Sequence, residues 1–103
     1  MVTHIKSVEE FKEFIKNDKV VIDLFATWCG PCRMMTPVLE QLDKEHNELH
    51  IGKVDVDELS DIAALFNVSS IPTLLLISKG EVKYKQVGYM PYSNLDRLVK
   101  QYL

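Results

Sequence analysis

The stretch KVVIDLFATWCGPC, from Lys19 to Cys32, carries most of the information about the fold. Its first part, Lys19 to Phe25, is almost entirely apolar and rich in β-branched residues, which is typical of a central strand covered on both faces. It ends in Cys29-Gly30-Pro31-Cys32, where Pro31 suits the first turn of a helix because no backbone N–H is needed there. The stretch therefore predicts a buried strand followed at once by a helix, with a cysteine pair at the junction.

Hydrophobic patterns predict further elements on both sides of this stretch. Short runs of apolar and β-branched residues indicate strands, and apolar residues spaced by three and four indicate helices. The order βαβαβαββα predicts an α/β fold with a central mixed β-sheet flanked by helices on both faces. The other predicted elements are strands at Val2–Ile5, His50–Val56, Thr73–Ser78 and Glu81–Val87, and helices at Val8–Ile15, Arg33–His46, Leu59–Phe66 and Leu95–Tyr102.

Composition and charge narrow the class of protein. The chain has 103 residues, 47% of them apolar and 26% charged, so we expect one domain that spans residues 1–103. The net charge of −3, without a basic cluster, argues against nucleic acid as a partner. No apolar run is long enough for a signal peptide or a membrane span, so we expect a cytoplasmic location and no membrane partner.

The two cysteines, Cys29 and Cys32, could form a structural disulfide, part of a metal site or a reversible redox centre. A disulfide that closes so short a loop restricts the unfolded chain little, so it would stabilise the fold only slightly. In a reducing compartment such a pair is more often catalytic or metal-binding.

A zinc site is suggested by spacing, because Cys29, Cys32, His46 and His50 fit a known ligand pattern. If the residues after Cys32 are helical, however, the 14-residue step to His46 spans roughly 21 Å. Four zinc ligands must all lie within about 2.3 Å of one ion. We therefore expect both histidines to be surface residues near the helix end.

The redox interpretation follows from the position of Cys29 at the start of a helix. Unpaired backbone N–H groups and the helix dipole favour negative charge there, and the thiolate is the species that attacks a disulfide. Cys32 lies one turn further along the same face, within disulfide reach and better shielded. One sulfur is thus suited to attack and the other to resolution.

The motif WCGPC, Trp28 to Cys32, resembles the active-site motif of the thioredoxin family, and the resemblance extends along the whole chain. Asp23 lies in the preceding strand, as in that family. Ile71-Pro72-Thr73 resembles the family's cis-proline loop, Lys53 to Asp57 its central strand, and Val87-Gly88 the loop after its last strand. A lone CxxC pair would be weak evidence, whereas this combination is specific.

The resemblance implies the thioredoxin fold and a protein-disulfide reductase, that is, a general dithiol–disulfide oxidoreductase acting on cytoplasmic client proteins. In such a protein Cys29 attacks, Cys32 resolves, and the two alternate between dithiol and redox-active disulfide. The resemblance further implies reduction by an NADPH-dependent thioredoxin reductase, clients such as ribonucleotide reductase, peroxiredoxin and methionine sulfoxide reductase, and a place in electron transport and cell redox homeostasis. It implies a monomer without a bound cofactor or metal.

Further site residues are carried over from the family to matching positions. Asp23 interrupts an apolar strand, where burial raises the pKa of a carboxyl group, and the family uses it to deprotonate Cys32. A plain ion pair between Asp23 and Lys53 is the alternative. The residues expected to tune or shape the site are Gly30, Pro31, Lys53 and Pro72, and those expected to bind substrate are Trp28, Ile71, Pro72, Val87 and Gly88.

Phe25 departs from the family pattern, since many relatives carry a second tryptophan there, and we expect this difference to affect partner choice. Two other kinds of function stay open at this stage. The fold could act as a partner subunit or scaffold regardless of its redox state, or the chain could be a zinc-binding module.

Overall fold

Nine elements follow one another in the predicted order βαβαβαββα in the computed structural model, which describes all residues from Met1 to Leu103. All strand bounds agree with the prediction to within one residue, whereas the helix at the cysteine pair and the last helix each begin three residues earlier than predicted, at Gly30 and Tyr92. The elements are β1 (Val2–His4), α1 (Val8–Phe14), β2 (Val20–Phe25), α2 (Gly30–Glu45), β3 (His50–Asp55), α3 (Ser60–Leu65), β4 (Thr73–Ser78), β5 (Glu81–Val87) and α4 (Tyr92–Tyr102).

The five strands form one mixed sheet in the order β1-β3-β2-β4-β5. Strands β1, β3 and β2 are parallel, whereas β4 runs antiparallel to both β2 and β5. Strand β2 is therefore central, and Asp23 has Lys53 of β3 on one side and Leu74 of β4 on the other. This register brings one acidic and one basic side chain next to each other inside the sheet.

Both faces of the sheet are covered by helices, as predicted. Side chains alternate between the two faces along a strand, so Val21 belongs to the core beneath α2 and α4, whereas Ile22 and Leu24 belong to the core beneath α1 and α3. Asp23 and Phe25 share the face of Val21. The acidic side chain of the central strand therefore points toward α2, the helix that begins at the cysteine pair.

The end of helix α2 differs from the sequence expectation. His50 is exposed as predicted, but His46 is not a surface residue, since only 12% of its side chain is accessible. Its Nε2 lies 2.6 Å from Asp96 Oδ1 of α4, and its Nδ1 lies 3.2 Å from Glu48 Oε2. The surface prediction for His46 is wrong because α4 packs beside the end of α2, a contact between residues far apart in the chain.

Candidate active site

The cysteine pair lies at the N-terminus of α2. Cys29 is the N-cap residue, with extended backbone angles, and Pro31 lies in the first turn. The backbone N–H of Cys32 donates a hydrogen bond to Cys29 Sγ over 3.2 Å. The two cysteines form a disulfide, with Cα atoms 5.2 Å apart. One of the unpaired N–H groups of the helix thus points at a sulfur atom, where it stabilises negative charge when the bond is reduced.

Both cysteines are nearly covered. Cys29 is 5% exposed and Cys32 2%, and Ala26, Phe25, Val56 and Ile71 surround them. Because the difference in exposure is small, the position of Cys29 at the helix N-terminus distinguishes the two sulfurs more clearly than access does.

The loop before β4 contacts the disulfide, and the loop after β5 is hydrogen-bonded to that loop. The Ile71–Pro72 peptide bond is cis, and the carbonyl oxygen of Ile71 lies 3.8 Å from Cys29 Sγ. The N–H of Gly88 donates a hydrogen bond over 2.8 Å to the carbonyl oxygen of Pro72. Gly88 has a φ of 93°, a conformation that favours glycine. The loop before β4 and the loop after β5 are therefore joined next to Cys29.

The residues expected to bind substrate are exposed to different extents. Trp28 is 68% exposed and Val87 52%, and Ile71 and Gly88 are partly exposed. Pro72 is buried, so it supports the exposed residues from beneath. We call the set Trp28, Gly30, Pro31, Ile71, Pro72, Val87 and Gly88 the docking surface.

The Asp23 carboxylate is fully buried, and neither of its oxygens has a hydrogen-bond partner. Burial raises the pKa of Asp23 to about 7, and the positive charge of Lys53 opposes this effect without cancelling it. A carboxyl group with this pKa exchanges protons near neutral pH, as a general acid or base must.

The alternative of a plain ion pair between Asp23 and Lys53 is not what the structure contains. Neither oxygen of Asp23 accepts a hydrogen bond, and no ion pair joins it to Lys53 within 4.0 Å, although the Lys53 charge still lowers its pKa. The Lys53 ammonium is instead 3.4 Å from Thr36 Oγ1 and 4.6 Å from the centre of the Phe25 ring.

Sequence reasoning missed two contacts of the site. Trp28 Nε1 donates a hydrogen bond to Asp57 Oδ2 over 3.0 Å, which fixes the exposed indole ring. The signal available for Asp57 is topological, because it follows β3 as Trp28 follows β2, and parallel neighbours end at the same edge of a sheet. The contact of Thr36 with Lys53 has no such signal.

The zinc pattern Cys29, Cys32, His46 and His50 is not assembled in the fold. No group of three or more His, Cys, Asp or Glu side chains is arranged to hold a metal ion.

None of the four helices combines the length and the apolar character needed to cross a membrane.

Comparison with known proteins relates this chain to thioredoxins. The thioredoxin family model matches residues 2–101. Thioredoxin of Mycoplasma pneumoniae is 42% identical, over 98% of this chain and 100% of its own length. Mitochondrial thioredoxin 3 of Saccharomyces cerevisiae in its oxidised form is 40% identical, with a TM-score of 0.89 over 97% of this chain and 94% of its own.

A second solved structure has the same TM-score of 0.89 and identity of 40%, over 97% of this chain and 94% of its own. It concerns the thiol resolving mechanism in yeast mitochondrial 1-Cys peroxiredoxin via glutathione/thioredoxin systems.

The fold and the cysteine pair at disulfide distance define a dithiol–disulfide oxidoreductase, with the activity of a protein-disulfide reductase. The chain belongs to the thioredoxin family, and the predicted thioredoxin fold is confirmed. Members of this class exchange disulfides with client proteins and with a reductase that restores the dithiol.

Proposed function

We propose that the protein is a general reductant of protein disulfides in the cytoplasm, that residues 1–103 form a single domain, and that Cys29 is the attacking residue. The observation that carries the assignment is the N–H of Cys32 directed at Cys29 Sγ over 3.2 Å, at the N-terminus of α2. This environment stabilises a thiolate on Cys29. The thiolate attacks one sulfur of a client disulfide, forms a mixed disulfide and releases the other client sulfur as a thiolate.

Resolution then requires a second thiolate, on Cys32. Asp23 accepts the Cys32 proton, directly or through a water, and its pKa of about 7 suits this transfer. The Cys32 thiolate attacks Cys29 Sγ, which breaks the mixed disulfide, forms the Cys29–Cys32 disulfide and releases the second client thiolate. The client has gained two electrons, and the cysteine pair has lost them.

Clients reach the disulfide across the docking surface. The backbone before Pro72 lies beside Cys29, and we infer that an extended client segment pairs with it as an added strand. The surface offers few side chains that would select one sequence, which suits a general reductant. The ring of Pro31 and the indole of Trp28 provide apolar contact at its rim.

Specific partners are proposed from the family. We propose an NADPH-dependent thioredoxin reductase as electron source, and ribonucleotide reductase, peroxiredoxin and methionine sulfoxide reductase as clients. The match to a structure that concerns a 1-Cys peroxiredoxin and the thioredoxin system supports the peroxiredoxin assignment. We propose further that the protein acts as a monomer in electron transport and cell redox homeostasis, without a bound cofactor or metal.

The test of these roles is to trap the mixed disulfide. Cys32→Ser retains the attacking sulfur but cannot resolve, so we expect it to accumulate client proteins bound through Cys29. Cys29→Ser is the matched control. Its remaining cysteine, Cys32, is not the attacking residue, so we expect this variant to trap several-fold fewer client proteins. Bound proteins are counted on non-reducing gels and identified by mass spectrometry. Equal trapping by both variants would show that the roles are assigned incorrectly.

The scaffold alternative has its own test. The double variant Cys29→Ser/Cys32→Ser cannot exchange disulfides but keeps the fold, because α2 does not depend on so short a cross-link. A redox role predicts that this variant fails to support growth of cells that lack their own thioredoxins. Full complementation by the double variant would favour the scaffold role.

A further inference from the structure

The position of Lys53 within the site is unexpected. Lys53 is the register partner of Asp23 on the adjacent parallel strand, so both side chains leave the sheet on the α2 face. An ion pair between them would be the simplest arrangement for two opposite charges. The ammonium nevertheless lies over the Phe25 ring, 4.6 Å from its centre, and 3.4 Å from Thr36 Oγ1.

The two contacts act from different elements. Phe25 is two residues beyond Asp23 on β2, and Thr36 is in the second turn of α2. The face of an aromatic ring attracts a cation electrostatically, and more strongly where the cation is shielded from solvent. The Thr36 contact is longer than an ideal hydrogen bond, so the ring is the stronger of the two partners.

The surroundings of Lys53 give its charge access to solvent. Its side chain lines an open groove of about 700 Å³ between β1 and α2, into which His4, Glu40, Asp43 and Lys44 also face. The ammonium can therefore contact solvent. Asp23 has no such access, and Lys53 is the one charged neighbour that shifts its pKa.

The separation of the two charges matters for the chemistry. No ion pair joins the two groups within 4.0 Å, yet the charge of Lys53 already lowers the pKa of Asp23. Closer approach, into an ion pair, would lower it further because an opposite charge favours the ionised form. A carboxylate paired in this way holds a proton poorly and is a weaker acceptor for the thiol of Cys32.

We propose that Phe25 and Thr36 are positioning residues for disulfide exchange: the ring face and the hydroxyl hold the Lys53 ammonium away from the Asp23 carboxylate, which leaves that carboxylate free to take the proton of Cys32. The link to Cys32 rests on the proposed function above. The proposal gives Phe25 a part in the redox reaction itself, in addition to any effect on partner choice.

The test measures the pKa of Asp23 in the reduced protein by NMR, from the chemical shift of its carboxyl carbon against pH. Phe25→Leu removes the ring face and keeps an apolar side chain, and Thr36→Val removes the hydroxyl and keeps the shape. Either substitution should let the Lys53 ammonium move toward the Asp23 carboxylate. We expect the pKa of Asp23 to fall by about 1 in Phe25→Leu and by less in Thr36→Val.

The matched control is Lys53→Met, alone and combined with Phe25→Leu. Without the ammonium, loss of the ring has nothing to release, so the double variant should have the same Asp23 pKa as Lys53→Met. If Phe25→Leu lowers the pKa equally with and without Lys53, the ring acts by excluding water, and the proposal is wrong. An unchanged pKa in both Phe25→Leu and Thr36→Val would also overturn it.

The functional consequence is measured separately. In the parent background, Phe25→Leu should change how the rate of disulfide reduction varies with pH. In the Asp23→Asn background, the same substitution should leave that pH profile unchanged. If Asp23→Asn reduces disulfides as fast as the parent, the proposed role of Asp23 fails. The NMR titration still decides whether Phe25 and Thr36 hold Lys53, so the two failures can be told apart.

Discussion

Asp23 places a carboxyl group where the fold offers it no hydrogen bond and only the partial compensation of the Lys53 charge. It is fully buried between Lys53 and Leu74, and neither oxygen accepts a hydrogen bond. Ionisation there is unfavourable because the carboxylate loses its hydration without gaining a partner. The raised pKa, about 7, makes this residue useful for proton transfer and costly for folding.

Removal of the carboxyl group should therefore raise stability and lower activity. The pKa of Asp23 is about 3.9 in an unfolded chain and about 7 in the folded protein. The folded state is penalised as pH rises from the first value to the second, and the penalty is constant above it. It amounts to at most about 4 kcal/mol. We expect Asp23→Ala to be more stable by about 1–3 kcal/mol at pH 8, after the loss of packing, and to gain little near pH 4.

Urea unfolding of the parent and the variant at pH 4 and pH 8 measures this difference in stability. The rate at which each reduces a protein disulfide measures how much resolution by Cys32 is slowed. Asp23→Asn is the control for size, since it keeps the volume of the side chain and removes its charge. The stability of Asp23→Ala and that of Asp23→Asn should both lack the part of the parent's pH dependence that comes from Asp23. A variant that is less stable than the parent at pH 8 would assign Asp23 a structural role.

His46 adds a titratable contact between α2 and α4 beside the apolar core that the two helices share. Burial opposes the charged form of this imidazole, but hydrogen bonds from the ring to Asp96 and Glu48, with the charges of both carboxylates, outweigh burial and raise its pKa above 6.5. Protonated His46 therefore joins the last residues of α2 to α4, and the neutral form does so less well.

Replacement of His46 should destabilise the protein more at low than at high pH. A histidine whose pKa is raised by folding adds stability below its unfolded pKa, and this contribution disappears as pH rises through the folded pKa. We expect His46→Gln to lose about 0.5–1 kcal/mol more at pH 5.5 than at pH 8.5, as for an ion pair with access to solvent. Urea unfolding of both proteins at each pH gives the value.

His50 provides the control for this measurement, because it is exposed and has no carboxylate within 4.0 Å. A loss of the same size and pH dependence in His50→Gln would show that the effect does not come from the contacts of His46 with Asp96 and Glu48. A pH-independent loss in His46→Gln would mean that the imidazole acts through packing alone.

Elements and their order could be predicted because each leaves a local signal. The strand KVVIDLF and the cysteines at the following helix also located Asp23 and the redox pair, since a single acid in an apolar strand stands out. Contacts between elements leave no such signal. His46 and Asp96 are 50 residues apart. Lys53 could be placed beside Asp23, but its contacts with Phe25 of β2 and Thr36 of α2 depend on how the helix packs on the sheet.

At the scale of the whole molecule, the sheet topology brings the site together at one edge. Parallel strands β2 and β3 end there, the antiparallel strand β4 begins there, and β5 returns to it. The cysteine pair, Asp57, the Ile71–Pro72 bond and Gly88 thus meet although the chain between them crosses the sheet several times. A net charge of −3 is carried elsewhere, and the docking surface itself contains no charged residue.

A charge placed on the docking surface should therefore impair protein clients selectively. Val87 is 52% exposed at the end of β5, where it pairs with Thr73 next to Pro72. Val87→Glu keeps the backbone pairing but forces a client to cover an unpaired carboxylate, which is unfavourable. We expect kcat/KM for a protein disulfide to fall about tenfold, equivalent to about 1.4 kcal/mol. Reduction of a small neutral disulfide, which does not cover Val87, should proceed at the parent's rate.

Val82 offers a matched control on the same strand. It is 39% exposed and lies five residues earlier in β5, roughly 16 Å from Val87 along the strand. Val82→Glu adds the same charge to the same strand but outside the docking surface, so protein clients should be reduced normally. If both variants lost the same activity, net charge would be the cause. If Val87→Glu also slowed the small disulfide, the substitution would act on the cysteine pair, because contact with a client cannot affect a substrate that never reaches Val87.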